Sequence, residues 1–279
     1  MSYGRKAVLQ GVTLELHSGE IVGLVGENGV GKTSLIRVLS GLTLPKKGAV
    51  KKEGETVAAL VEQPSFFPDM TGKENLEYFL DRRIGTAEAA AAPFGCSGFL
   101  ELPVRKYSMG MRQKLALWML LLSKADYLLL DEPSVALDAS ALEEFDQLLL
   151  KQKPIRGILI ASHNFRELQK VCDRVLVMVD GRIRKELGTE PDGREIYRIV
   201  LRGAPSEDVK GLLAAEGLRL SDNRIEFAGS EQELSALLRK LILAGAEVCE
   251  AVRLHTLLER NCLAIMKEKQ EAADEKGIS

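Results

Sequence analysis

The sequence has few cysteines, and they form no pattern typical of a disulfide framework or a zinc site. The four cysteines of the 279-residue chain, Cys96, Cys172, Cys249 and Cys262, are scattered and include no C-x-x-C pair. Such spacing indicates reduced thiols in a cytosolic protein. The sequence therefore predicts a fold that depends on an ordinary apolar core.

The sequence also lacks a long apolar run, a signal peptide and an excess of charge of one sign. Its longest apolar run, from Leu115 to Leu122, is far shorter than the roughly 20 residues of a membrane span and predicts a buried helix. The formal net charge is -2 at pH 7, which does not support a nucleic-acid footprint. We therefore expect no membrane span and no nucleic-acid partner, in one large domain or two smaller ones.

One stretch near the N-terminus carries the strongest signal. Residues Gly26-Glu27-Asn28-Gly29-Val30-Gly31-Lys32-Thr33 fit the phosphate-loop pattern G-x-x-x-x-G-K-[ST] without a mismatch. An apolar run predicts a buried strand before the loop, and a helix is predicted after it. This arrangement directs backbone N–H groups and a helix N-terminus at one anion. We expect Lys32 to bind the outer phosphates of a nucleotide and Thr33 to ligate Mg²⁺.

An acidic pair follows a second apolar strand. Residues 127–130 predict this strand, and Asp131 and Glu132 come directly after it. Ligands bind at the carboxyl ends of parallel strands, so Asp131 should emerge at the same edge as the loop and hold Mg²⁺ opposite Thr33. Glu132 can accept the proton of an attacking water. The pair therefore predicts nucleotide hydrolysis.

With these motifs in this order, residues 3 to about 186 resemble the nucleotide-binding subunit of an ATP-binding cassette (ABC) transporter. Tyr107-Ser108-Met109-Gly110-Met111 resembles the family signature Leu-Ser-Gly-Gly-Gln, in a form similar to that of exporter-type members. Ser108 can cap a helix whose first N–H groups stay free, which suits a γ-phosphate. In this family that phosphate belongs to ATP held by the other cassette of a head-to-tail dimer.

The resemblance implies roles for further residues. Gln63 resembles the Q-loop glutamine, Asp138 the D-loop aspartate, and His163 the switch histidine that holds the γ-phosphate with Lys32. Tyr3 is placed for the aromatic that stacks on adenine, although only two residues precede it and the usual first strand is missing.

The resulting assignments form three sets. The catalytic set is Glu132, His163, Lys32 and Gln63, and the metal set is Thr33, Gln63 and Asp131. The nucleotide-binding set is Tyr3, Gly26, Glu27, Asn28, Gly29, Val30, Gly31, Lys32, Thr33, Ser34, Ser108, Gly110 and Asp138.

The order of predicted elements indicates an α/β fold. Residues 1–190 predict a P-loop NTPase core of the ABC type with a helical subdomain at about 71–124, and residues 191–279 a small α+β domain with a charged tail. Pro191-Asp192-Gly193 predicts the boundary. Strands are also predicted at Val8, Val12, Leu14 and Leu16 and at residues 49–51, and fraying is predicted for the tail at 268–279.

The resemblance implies an ATPase that uses ATP and Mg²⁺ and drives a separate membrane permease, preferentially an exporter, from the cytoplasmic face of the membrane. Its other partner would be a second copy or a paralogous cassette. Two alternatives stay open. One is a soluble translation or DNA-repair ATPase, although such relatives usually carry two cassettes or a long coiled coil. The other is a regulatory ATP-binding module with little turnover, against which the intact Glu132 argues, although the altered signature leaves it open.

Overall fold

The computed structural model describes residues 2–3, 6–52, 54–62, 64–189 and 195–274. The chain forms two compact units, Met1–Thr189 and Glu190–Ser279, each with its own apolar core. The predicted boundary at Pro191-Asp192-Gly193 lies outside the described residues. Among the described residues, no helix combines the length and apolar character needed to cross a membrane.

A six-stranded sheet organises the first unit, preceded by a short hairpin of β1 (Ser2–Tyr3) and β2 (Lys6–Ala7). Its strands are β3 (Ile21–Val25), β4 (Val57–Leu60), β5 (Tyr127–Asp131), β6 (Gly157–Ala161), β7 (Arg174–Val179) and β8 (Arg182–Gly188). They lie in the order β4-β5-β6-β3-β7-β8, parallel except for β8. Every residue of β3 and β6 is buried, as expected of central parallel strands covered on both faces. This sheet confirms the predicted α/β fold.

Helices connect these strands. They are α1 (Lys32–Leu39), α2 (Gly72–Leu80), α3 (Thr86–Ala90), α4 (Met109–Leu122), α5 (Ala139–Gln152) and α6 (Phe165–Val171). The Thr71 hydroxyl and the Glu74 carboxylate cap α2 reciprocally, as the sequence predicts. The longest apolar run lies within α4, where Leu115 and Leu117 are fully buried, so it serves the core of the first unit.

Two predicted strands are wrong. The structure has no strand at residues 8–17 or 49–51, all of which it describes. Val12, Leu14 and Leu16 instead pack against the core of the central sheet from an irregular segment. In this segment, the alternation of apolar residues therefore reflects contact with the core and not hydrogen-bonded pairing in a β-sheet.

The second unit has the β-α-β-β-α-β order of a ferredoxin-like fold, followed by a last helix. Its elements are β9 (Glu195–Leu201), α7 (Glu207–Ala215), β10 (Leu220–Ser221), β11 (Arg224–Gly229), α8 (Glu231–Leu243), β12 (Val248–Thr256) and α9 (Leu257–Asp274). The sheet is antiparallel in the order β10-β11-β9-β12. Helix α9 continues to Asp274, within the tail for which fraying is predicted.

Candidate nucleotide-binding site

The loop between β3 and α1 needs glycine at two positions for different reasons. Gly31 precedes α1 with a φ of 118°, a conformation that side chains with a Cβ rarely adopt. A Cβ on Gly26 would lie 2.5 Å from the carbonyl oxygen of Met178 in β7. The loop backbone therefore runs directly against the sheet, with the N-terminus of α1 at its end.

Lys32 is buried at the start of α1, where its ammonium group lies over the loop. Its Nζ donates hydrogen bonds to the carbonyl oxygens of Gly26, at 2.7 Å, and Glu27, at 3.4 Å. This places a cation beside the free N–H groups and positive dipole end of a helix. The arrangement fits phosphate oxygens, which both groups would attract.

Asp131 and Thr33 meet at the carboxyl edge of the sheet, as predicted. The pKa of the Asp131 carboxyl is raised above its usual value, mainly by burial. A hydrogen bond from the Thr33 hydroxyl and the charge of Lys32 oppose this effect in part. One carboxylate beside one hydroxyl fits Mg²⁺, which binds through few protein oxygens and takes further ligands from waters and phosphates. These two residues could therefore hold the metal ion against the loop.

Glu132 forms a pair with His163 beyond the end of β5. The Glu132 Oε2 lies 2.7 Å from His163 Nδ1 and 3.4 Å from the His163 backbone nitrogen. The Glu132 backbone has a φ of 47°, in the left-handed region, and its N–H donates to the Ala161 carbonyl of β6 at 2.8 Å. Such strain is characteristic of functional sites. It aims the Glu132 carboxylate at the edge of the sheet.

Ser108 caps α4, as the signature predicts. Its hydroxyl accepts a hydrogen bond from the Met111 N–H at 3.2 Å. A Cβ on Gly110 would lie 2.8 Å from the Ala136 carbonyl oxygen, so α4 packs closely on the turn before α5. The Gln113 amide donates to the Pro133 carbonyl at 2.8 Å and connects α4 to the turn after Glu132.

Asp138 caps the helix that follows. Its Oδ1 accepts the Ala141 N–H at 2.9 Å, and its Oδ2 pairs with Lys114 Nζ at 2.6 Å. Asp138 is therefore held between α4 and α5, with its side chain largely exposed.

A cleft of about 540 Å³ brings most of the predicted phosphate and metal residues together. Its predicted lining residues are Asn28, Gly29, Gly31, Lys32, Thr33, Ser34, Asp131 and Glu132. Lining residues that the sequence reasoning missed are Val8, Glu62, Pro64, Met109, Arg112, Gln113 and Val135. Among these, Arg112 is a second cation, and its place in the first turn after the signature serine could have indicated it.

Other predicted residues lie elsewhere. His163 reaches the cleft through Glu132, and Ser108, Gly110 and Asp138 do not line it. Gln63 is outside the described residues, and for Tyr3 only the backbone, in β1, is described. The loop, the Thr33–Asp131 pair and the residues around them define a phosphate-loop NTPase site.

Comparison with known proteins identifies the family. The profile of the family described as ABC transporter matches residues 9–135. The uncharacterized ABC transporter ATP-binding protein YdbJ of Bacillus subtilis is 28% identical over 98% of this chain and 94% of its own length. The aliphatic sulfonates import ATP-binding protein SsuB of Corynebacterium glutamicum is 34% identical over 69% of this chain and 82% of its own length. The chain belongs to the ATP-binding proteins of ABC transporters.

Solved structures share the fold. An ATP-binding subunit of an ABC transporter matches with a TM-score of 0.60 and 23% identity over 85% of this chain and 95% of its own. A dimeric ATP-binding cassette in a post-hydrolysis state with ADP and Pi matches with a TM-score of 0.59 and 21% identity over 68% of this chain and 95% of its own. The predicted family, fold and ATPase activity are confirmed, and the soluble repair or translation alternative is not favoured.

Proposed function

We propose that this chain hydrolyses ATP at the interface of two cassettes and so powers a separate membrane-spanning permease in the direction of export. The observation that carries the hydrolytic part is the contact of 2.7 Å between Glu132 and His163. This pair lies next to the cleft that holds Lys32, Thr33 and Asp131, so a base and a phosphate site share one edge of the sheet.

Each side chain then has a role that its position supports. Lys32 and the loop N–H groups bind the outer phosphates, and Thr33 and Asp131 hold Mg²⁺, which neutralises charge on the phosphate oxygens. Glu132 accepts the proton of the attacking water, and His163 orients Glu132 and contacts the γ-phosphate. Gln63 is proposed to bind the metal ion and to transmit the change between the ATP-bound and hydrolysed states to the permease. This role depends on the family resemblance alone.

The dimer part of the proposal depends on the residues that do not line the cleft of their own chain. Ser108 is exposed at the N-terminus of α4, and the Asp138 side chain is exposed at the start of α5. A helix N-terminus open to solvent binds an anion from another molecule. We infer that Ser108, Gly110 and Asp138 contact ATP bound by a second copy or a paralogous cassette, and that Tyr3 contacts adenine.

Glu132→Gln tests the hydrolytic proposal. The variant should bind ATP normally but hydrolyse it at least about 100-fold more slowly, because it loses the general base. It should also stay dimeric with ATP and Mg²⁺, since the bound state no longer turns over. Turnover assays and size-exclusion chromatography measure these effects.

The control for this test is Glu101→Gln, which changes an exposed acid outside the cleft and should leave turnover unchanged. Unchanged turnover in Glu132→Gln would contradict the proposal. Negligible turnover in the parent chain would favour the regulatory module instead.

An exposed aromatic cluster supports the permease part of the proposal. Phe66 and Phe67 follow Pro64 at the edge of the cleft and pack on two aromatic residues of helix α2, Phe66 on Phe79 and Phe67 on both Tyr78 and Phe79. The side chains of Phe67, Tyr78 and Phe79 are exposed, and Tyr78 is 62% exposed. A contiguous exposed aromatic patch is typical of an interaction site. We infer that an apolar segment of the permease binds this aromatic cluster.

Tyr78→Ser should therefore weaken copurification with the permease at least about 10-fold and leave basal ATP hydrolysis unchanged, because an exposed anchor of the interface is lost. Affinity purification from solubilised membranes measures the effect. Leu243→Ser is the matched control, because Leu243 is 88% exposed but lies in the second unit. Equal losses in both variants, or in neither, would contradict the assignment.

Export is inferred from the Tyr-Ser-x-Gly-Met form of the signature at residues 107–111. If the chain powers export, cells without it should accumulate the cargo, whereas loss of an importer should deplete it. Untargeted comparison of cell contents separates the two outcomes. In either case we place the chain on the cytoplasmic face of the membrane, bound through its permease.

A further inference from the structure

Two buried carboxyl groups behind the site have no role in the proposed reaction. Glu167 is only 2% exposed and Asp146 only 7% exposed. Among the described residues, no hydrogen-bond partner is found for either carboxyl oxygen of Glu167 or for Asp146 Oδ1. Burial of an unpaired carboxylate is costly, so such a group remains protonated to a higher pH than an exposed acid.

Glu167 belongs to the helix that positions the histidine of the site. It lies in the first turn of α6, four residues after His163, and its backbone N–H donates to the Asn164 side chain at 3.4 Å. The Ser134 hydroxyl lies against the Glu167 carboxyl, without the geometry of a normal hydrogen bond. Ser134 is two residues after Glu132, so Glu167 stands between the two elements that hold the Glu132–His163 pair.

Asp146 faces Glu167 from α5, the helix that Asp138 caps, and α5 packs on α6. The nearest cation to Asp146 is the exposed Lys170, whose Nζ lies 3.9 Å from Asp146 Oδ2. The acidic neighbour of Asp146 is Glu143, and that of Glu167 is Glu132. Both buried carboxyl groups also raise the pKa of the buried Cys172 thiol. Negative groups therefore predominate around Glu167, and the imidazole of His163 lies on the side of Glu132.

We propose that Glu167 is a positioning residue for ATP hydrolysis, whose neutral carboxyl allows the turn after Glu132 and the start of α6 to pack together. This inference depends on the proposed role of Glu132. Ionisation of Glu167 would place a second negative charge behind Glu132, compete with it for His163 and draw water between α5 and α6. The Glu132–His163 pair would then lose its geometry.

The electrostatic environment agrees with this arrangement. The pKa of Glu167 is raised to about 7, chiefly by burial and in smaller part by Asp146 and Glu132, against the opposing effects of Ser134 and His163. Burial likewise raises the pKa of Asp146 to about 6. Glu167 therefore changes charge near neutral pH, where an effect on turnover is measurable.

The test compares pH profiles of kcat for the parent, Glu167→Gln and Glu167→Ala, with saturating ATP and Mg²⁺. Glutamine imitates the neutral acid, so Glu167→Gln should keep at least about half of the parent kcat near pH 6.5 and lose the decline in the parent between about pH 7 and 9. Glu167→Ala should lower kcat at least about fivefold with KM changed less than about twofold, as expected when orientation and not binding is lost. A purely structural role would leave the shape of the Glu167→Gln profile like that of the parent, and that result would overturn the proposal.

Asp146→Asn is a second variant in case Glu167→Gln folds poorly. It removes a negative charge that raises the pKa of Glu167, so the alkaline decline in kcat should move to lower pH. A decline that stays in place, or moves to higher pH, would overturn the proposal.

The outcomes also separate this inference from the proposed function. If Glu132→Gln retains parent turnover, the proposed function itself fails. If Glu132→Gln is inactive while Glu167→Gln follows the parent pH profile, only the role of Glu167 fails.

Discussion

At the scale of single residues, Gly26 shows how little space the nucleotide loop leaves for a side chain. An alanine Cβ at this position would lie 2.5 Å from the backbone oxygen of Met178, which cannot move without distorting β7. Gly26→Ala should therefore lower the free energy of unfolding by about 1–3 kcal/mol, as other overpacked sites do, and weaken ATP binding. Denaturant unfolding and nucleotide titration measure the two effects.

Gly98→Ala is the control for this substitution. A Cβ on Gly98 meets no described atom within 4 Å, and this glycine has no positive φ. The free energy of unfolding and the ATP affinity should both stay at the parent values. Equal effects at Gly26 and Gly98 would show that the contact with Met178 has no energetic importance.

The left-handed backbone of Glu132 illustrates a feature that the residue alone does not reveal. Nothing in the pattern of apolar strand and acidic pair predicts a φ of 47°. The conformation is stabilised by the hydrogen bond from the Glu132 N–H to the Ala161 carbonyl, in a strand about 30 residues further along the chain. The local sequence could predict that a carboxylate follows β5. The direction in which the Glu132 side chain points depends on the register between β5 and β6.

At the scale of elements, two serine caps allow the structural and functional parts of the signature to be separated. Ser108 caps α4 and Ser230 caps α8, each accepting a backbone N–H at 3.2 Å. Replacement of either by alanine should cost about 1 kcal/mol in the free energy of unfolding. Only Ser108→Ala should also lower ATP hydrolysis and ATP-dependent dimerisation, because only Ser108 is proposed to contact nucleotide.

Thermal unfolding, turnover and analytical ultracentrifugation with ATP distinguish these effects. Ser230→Ala should lower stability with turnover unchanged. If Ser108→Ala lowers stability but leaves both turnover and dimerisation intact, the proposed contact with the partner's nucleotide is wrong.

Helices are also the scale at which local patterns succeed. The capping box of α2, the serine cap of α4 and the Asp180-Gly181 turn of the β7–β8 hairpin all depend on residues within a few positions of one another. Residues 8–17 show the opposite case, since their apolar alternation comes from contact with a core built by distant strands.

At the scale of the whole molecule, the nucleotide cleft and the six-stranded sheet lie entirely within the first unit. A fragment of residues 1–189 should therefore bind ATP with a Kd within about threefold of the parent, because no cleft residue is lost. Isothermal titration measures this. The same fragment with Lys32→Ala is the control and should bind at least about 10-fold more weakly, because a charge-assisted contact to phosphate is removed. Loss of binding in the unaltered fragment would show that the second unit supports the site.

Much of this protein is encoded locally. The phosphate loop, the acidic pair after β5 and the caps could be predicted because each depends on neighbours in the chain and on the strong conformational preferences of glycine, serine and short apolar runs. The family followed from the order of such motifs.

Other features arise only when distant segments pack. The pair of Glu132 with His163, the entry of Arg112 into the cleft and the burial of Glu167 and Asp146 all involve segments that are separated in the sequence. A charged residue has the same identity in an exposed turn as in a buried seam between α5 and α6. Its exposure to solvent and its charged neighbours are established only once the sheet and helices have packed. These two factors set its protonation state and the groups that its side chain can contact.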